Sequence, residues 1–164
     1  STGAGKVINV WTSRRTTAVS TQALTWQNIG SLDVTVTPAS SNSKFLIMAN
    51  ATASHSSASG HDGLVRLAKT VSGTTSGLGN GTGGTNTTTD ANQGFLQVAG
   101  QNSNYEMSHG ATTYLDAPGN TNQITYRIQF RNNQSQNTTY INQRGAVVGD
   151  FRNPSSITVM EFAS

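Results

Sequence analysis

The stretch that most constrains this chain is residues 115–131, LDAPGNTNQITYRIQFR. In its second half Ile124, Tyr126, Ile128 and Phe130 alternate with Thr125, Arg127, Gln129 and Arg131. Successive side chains of a strand point to opposite faces, so this period of two predicts a strand with one buried face and one wetted face. Ahead of it, Ala117-Pro118-Gly119-Asn120 places a proline where its ring presets the first corner of a β-turn. The glycine that follows is free to take positive φ at the second corner. A sharp turn therefore delivers the strand.

The same grammar recurs along the chain, with no convincing amphipathic helix. Residues 6–12 (KVINVWT) read as a strand apolar on both faces; after a polar connection over 14–21, residues 24–26 and 32–37 alternate and stop at Pro38, which cannot continue a central ladder. Residues 43–53 (SKFLIMANATA) set Phe45, Ile47, Ala49 and Ala51 on one strand face and Leu46 and Met48 on the other. Turn-like residues on both sides favour a strand there over a helix. Its second apolar face needs a cover, and in a one-domain chain the simplest cover is another subunit, so Leu46 and Met48 are the expected interface residues. Further strands are expected over 63–71, 94–99, 105–108, 111–115, 138–141, 146–148 and 156–162. Residues 72–93 are rich in Gly and Thr and, apart from Asp90, uncharged, which predicts a surface loop outside the sheets. About ten short strands separated by turn signals predict one domain over 1–164, an all-β, jelly-roll-like antiparallel β-sandwich.

Composition sharpens this. Ser, Thr, Asn and Gln make up about two-fifths of the 164 residues and Leu, Ile, Val and Phe roughly a fifth, close to the range where chains stay disordered. Yet only 10% of residues are charged and the net charge is +3, so little self-repulsion opposes collapse. The pI near 9.6 suggests a polyanion partner, but the ten Lys and Arg are scattered, with only Arg14-Arg15 adjacent; no nucleic acid is expected. The absence of cysteine excludes disulfides, thiol nucleophiles and cysteine-ligated zinc. No apolar run approaches the ~20 residues of a membrane helix, and no membrane insertion is expected.

Chemistry-bearing residues are few. Gly3-Ala4-Gly5-Lys6 has Val7 where a phosphate loop needs Ser or Thr. His55, His61, Asp62 and His109 are the one conceivable metal set, but loop histidines are ordinarily solvated; no metal or cofactor is expected. Seven acids with no obvious pair argue against catalysis. Trp11, Phe45, Tyr126 and Phe130 lie in strands and are expected in the core. Tyr105, Tyr114 and Tyr140 lie near strand ends, where a ring can offer a flat face to a sugar. Tyr105 with His109, and Tyr140 with Arg144, form the expected recognition surface.

Four segments together resemble the C-terminal β-domain of tail fibres and virion appendages of tailed phages, particularly marine ones. They are GKVINV at 5–10, VTVTPASSNSKFLIM at 34–48, LDAP at 115–118 with Tyr126 following, and SSITVME at 155–161. The likeness lies in their order and spacing over nearly the whole chain; residues 72–93 depart from it. The resemblance implies a homotrimeric knob at the tip of a fibre or spike on the virion surface. Such a knob binds host cell-surface polysaccharide or glycan, contacts other virion proteins, and carries no catalytic residues. The rival expectations are a structural capsid-decoration or fibre-shaft module, a glycan depolymerase, and a monomeric carbohydrate-binding module.

Overall fold

The computed structural model describes residues 5–56, 63–79, 94–98, 106–133, 137–145 and 152–163. Among these are eleven strands and no helix: β1 (Val7–Arg15), β2 (Val19–Thr21), β3 (Gln27–Val36), β4 (Lys44–His55), β5 (Gly63–Val71), β6 (Thr74–Leu78), β7 (Leu96–Val98), β8 (Ser108–Asp116), β9 (Ile124–Asn132), β10 (Thr139–Ile141) and β11 (Ser155–Phe162). Every strand pair is antiparallel, in two sheets. The first sheet is built on the twelve-residue β4. One side of β4 pairs with β11 and then β10, continued outward by β1 and β2, and its other side pairs with β8. The second sheet runs β3-β9-β5, with β6 and β7 sharing the far side of β5.

The core is where the inward faces meet. Phe45, Ile47, Ala49, Ala51 and Ala53 of β4 and Ile157 and Val159 of β11 face Ile29, Leu32, Val34, Val65, Leu67, Ile124, Tyr126, Ile128 and Phe130 of the second sheet. The alternation seen in β9 is thus the inside and outside of a sandwich-like layer pair. Its turn forms as expected: Gly119 has φ 71°, and the Asn120 side chain accepts from the Asn122 amide at 2.9 Å and donates to the Pro118 carbonyl at 2.8 Å.

Buried polar groups bracket this thin core at both ends. At the first, the Asp116 carboxylate on β8 reaches across to the second sheet, accepting from Lys69 Nζ at 2.8 and 3.0 Å and from the Tyr126 hydroxyl at 2.8 Å. Burial, and then the hydrogen bond to Asp116, push the Tyr126 phenol far above its ordinary pKa. Beside it Glu161, fully buried, accepts from the Ala39 amide at 2.7 Å and from Asn9 Nδ2 at 2.8 Å. At the other end His55 Nε2 meets Asn132 Oδ1 at 3.0 Å across the sheets. There Asn142, at φ 61°, donates to the Arg15 carbonyl and accepts from Ser155 Oγ at 2.6 Å, tying β1, β10 and β11 together.

The register of β3 shifts between Asn28 and Asp33, and Ser31 there takes φ 65°. This bulge is clasped from the first sheet: Ser13 Oγ donates to the Ser31 carbonyl at 2.7 Å and Arg15 Nη1 to the Gly30 carbonyl at 2.6 Å. Arg15 also reaches the Thr17 and Ala18 carbonyls, so its guanidinium is a structural clip.

Several expectations need correction. Residues 24–26 are not a strand: Leu24 and Thr25 form a bend and β3 begins only at Gln27. The polar connection over 14–21 holds the end of β1 and all of β2. Residues 105–108 and 111–115 do not give two strands; residues 108 to 116 run as one, β8. The loop assigned to 72–93 begins instead with a hairpin, because Ser72 and Gly73 take positive φ and return the chain as β6 along β5. Leu78 thereby enters the core. Residues 80–93 and the strand expected at 146–148 lie outside the described residues.

Two outcomes follow. Leu78→Ala should destabilise the fold by about 2–3 kcal/mol in a denaturant titration, whereas a surface loop residue would cost close to nothing. For Glu161, desolvation by burial acts to raise the pKa, but hydrogen bonds from Ala39, Asn9 and Ser43 outweigh it and hold the carboxyl below its ordinary value. Its stabilising contribution is therefore complete above the unfolded value near ~4.3 and is lost as pH falls through the lowered folded value. Glu161→Gln should cost about 2 kcal/mol at neutral pH. The gap in melting temperature between it and the wild type should narrow as the pH is taken down below the ordinary carboxylate range; a gap that stays constant would contradict this account.

Candidate functional site

Alternation that fills the core also decides what the two sheets show to the outside. On the outer face of the first sheet, strand register aligns Val10, Met160, Leu46 and Leu115 in one row across β1, β11, β4 and β8. Val7 and Phe162 pair in the adjoining row, and Met48 lies two residues further along β4. These seven apolar side chains form a contiguous band about 19 Å wide, taking ~4.8 Å per strand. The band is solvent-facing: Val7 is 43%, Val10 56% and Leu115 57% exposed. Among the described residues no carboxylate occupies a register position on this face; of its cations, Lys44 stands beside Phe162 in the Val7–Phe162 row and Arg14 toward the opposite end.

Beyond Met48 the face turns polar. Asn50 Nδ2 donates to Ser156 Oγ at 2.6 Å, and Thr52 Oγ1 and His109 Nδ1 lie 3.1 Å apart. Tyr140 faces outward on β10 beside Ser54, between the buried Thr139 and Ile141. Arg144 follows in the loop whose Gln143 carbonyl accepts the Ser54 hydroxyl. Leu46, Met48, His109 and Tyr140 therefore share one face, with Arg144 at its polar end; Tyr105 lies outside the described residues. Tyr114, by contrast, turns inward and packs on the core. His55 is buried and turned toward Asn132, so it does not converge with the outward His109; His61 and Asp62 lie outside the described residues. Of the acids, Asp116 and Glu161 are consumed in the structural brackets described above.

The outer face of the second sheet has the opposite chemistry. Register aligns Asn28, Gln129 and Arg66 across β3, β9 and β5. The three are joined, Gln129 Nε2 donating to Asn28 Oδ1 at 2.8 Å and Arg66 Nε to Gln129 Oε1 at 2.9 Å. Arg127 and Arg131 flank Gln129 on the same face of β9. The ring of Trp26 lies over Arg66 at 4.3 Å and 5.8 Å from Arg131. Burial lowers the pKa of Arg131.

The sequence reading expected Thr125, Arg127, Gln129 and Arg131 to form a wetted face; Thr125 and Arg127 are half-buried and Gln129 and Arg131 are buried, where Arg66 and the Trp26 ring pack beside them, a meeting the sequence reading missed. It likewise missed Val7, Val10, Met160, Phe162 and Leu115 as companions of Leu46. Parity within a strand was the available signal; the partners across strands are set by register, which no local pattern carries. Neither a protein-family model nor a curated protein matches this chain.

Proposed function

We propose that this domain is an assembly and receptor-binding module of a phage virion appendage, a jelly-roll-like knob at a fibre or spike tip, working as a homotrimer that binds host cell-surface glycan without cleaving it. The observation that carries the reading is the apolar band on the first sheet. A contiguous exposed band of this kind marks a surface that is covered in the working assembly. The central row of Val10, Met160, Leu46 and Leu115 carries no charge, and the exposed Lys44 stands at the edge beside Phe162, where its long stem can carry the ammonium to water; this favours a second and third copy of this chain as the cover. The threefold order comes from the resemblance to phage appendage domains. His109, Tyr140 and Arg144, at the polar end of the same face, would then lie beside the subunit seam, where hydroxyl, imidazole and guanidinium groups suit hydrogen bonding to sugars. Repetition around a threefold axis turns such weak single sites into firm attachment. A binding role without catalysis is further supported by Asp116 and Glu161, whose carboxylates are engaged in holding the fold.

Sedimentation at micromolar concentration should report three chains for the wild type and one for Leu46→Asp or Met48→Asp, with each variant still showing a strand-type circular dichroism spectrum. A monomeric wild type would refute the assembly. The labelled trimer should adsorb to susceptible cells and leave purified surface polysaccharide at its original chain length. Shortened polysaccharide would replace the reading with a depolymerase, and failure to adsorb to any host would replace it with a structural decoration or shaft module.

A further inference from the structure

The apolar band occupies only one end of the first sheet's outer face. Toward the other end the outward side chains become hydroxyls, amides and one guanidinium. Register sets Thr12, Thr158, Met48 and Thr113 in the first row past Leu46, and Arg14, Ser156, Asn50 and Ala111 in the row after it. Arg14 stands about 13 Å from Val10 at strand rise and about 10 Å from Asn50 by strand spacing. A short polar line therefore runs beside the band without entering it.

The adjacent arginines of β1 are used in opposite ways. Arg15 turns inward and gives its guanidinium to the Gly30, Thr17 and Ala18 carbonyls. Arg14 turns outward, is exposed, and among the described residues makes no hydrogen bond or ion pair. Its donors face water. Next to it Asn50 Nδ2 donates to Ser156 Oγ at 2.6 Å, which fixes both side chains and leaves the Ser156 O–H and Asn50 Oδ1 without a protein partner among the described residues. Strands disfavour Asn, yet Asn50 lies midway along β4 on its outward side. In the following row the exposed His109 is held through Nδ1, 3.1 Å from Thr52 Oγ1. No carboxylate among the described residues stands in register with these groups.

We infer that the row of Arg14, Ser156 and Asn50, with His109 at its flank, is the subsite at which this domain takes an acidic saccharide: Arg14 pairs with a carboxylate or sulfate, the Ser156 hydroxyl donates to a sugar oxygen, and Asn50 Oδ1 accepts from a sugar hydroxyl. The inference rests on the reading of this domain as a glycan binder, and names the class of glycan and the residue that selects it. A guanidinium presents its donors as a fork that matches a carboxylate or sulfate in two parallel hydrogen bonds. With no acid in register, nothing on the face repels the incoming anion. A protein partner would need an apolar centre to its contact, and this row has none. Nucleic acid would need several cations along its backbone and rings on which bases stack, whereas the row itself offers one guanidinium and no aromatic ring.

The test titrates the full chain calorimetrically with oligogalacturonate as the carboxylate probe and dextran sulfate oligosaccharide as the sulfate probe, with neutral dextran and single-stranded DNA alongside. At least one acidic saccharide should bind, more weakly as salt is raised, and neutral dextran should not. Because the Arg14 side chain makes no bond that holds the fold, Arg14→Gln should leave the melting temperature unchanged while lowering that affinity about tenfold. Asn50→Ala should lower it severalfold. Lys6→Gln removes the same charge from an exposed position outside the row and should leave the affinity close to that of the wild type. Binding of neither acidic saccharide, dextran bound as tightly as either, DNA bound more tightly than both, or Arg14→Gln no weaker than Lys6→Gln would each overturn the inference. Host-cell adsorption separates the two levels. Arg14→Gln protein that adsorbs like the wild type would refute this subsite and leave the glycan reading standing, whereas a wild type that adsorbs to no host would refute the glycan reading itself.

Discussion

The fold depends on how the few buried charges are satisfied. With roughly a fifth of its residues Leu, Ile, Val or Phe, the chain can fill only the middle of the space between its sheets, and the ends of that space must be closed by polar side chains. Desolvating a carboxylate is costly unless every oxygen finds a donor. Asp116 meets this condition with Lys69 and Tyr126, and Glu161 with Ala39 and Asn9. The Asp116–Tyr126 bond joins consecutive strands and the others join elements distant in sequence, so satisfying the charge also fixes how β8 lies over β5 and β9, and how β1 and the turn after β3 lie against β11. The opposite end is closed by hydrogen-bonded side chains in the same way, with His55 and Asn132 across the sheets and Asn142 bonded to Arg15 and Ser155.

This explains a composition that at first suggests disorder. The abundant Ser, Thr and Asn do more than cover a surface. Thr52, Ser54, Asn132, Thr139, Asn142 and Ser155 are all buried, and several bond to backbone groups that the ladders leave unpaired, as where Ser155 Oγ accepts from the Thr52 amide and Asn142 donates to the Arg15 carbonyl. Short polar side chains are suited to this because they reach nearby backbone groups with little loss of rotamer freedom. With the interior closed in this manner, the outward residues of each strand are free to differentiate. One sheet turns an apolar band outward, and the other aligns Asn28, Gln129 and Arg66 with the Trp26 ring packed over Arg66.

What the sequence by itself determined is whatever depends on the period of two and on turn chemistry. The strand at Ile124–Asn132, the inward set of β4, the positive-φ turn at Gly119 and the two-sided apolarity that singled out Leu46 and Met48 follow from the geometry of a pleated backbone, which is local and therefore written locally. Tertiary structure decided everything that depends on register and on which side chains cross between sheets. Arg15, one of an adjacent pair of basic residues, became a clip on the β3 bulge, and Leu78, placed in a glycine-rich tract, became core because the Ser72-Gly73 turn returned the chain along β5. Val10 and Leu115 joined Leu46 in one band, and Trp26 came to rest on Arg66, although these residues are far apart in the chain. Register is fixed by the summed packing and hydrogen bonding of all strands together, so no segment taken alone contains it.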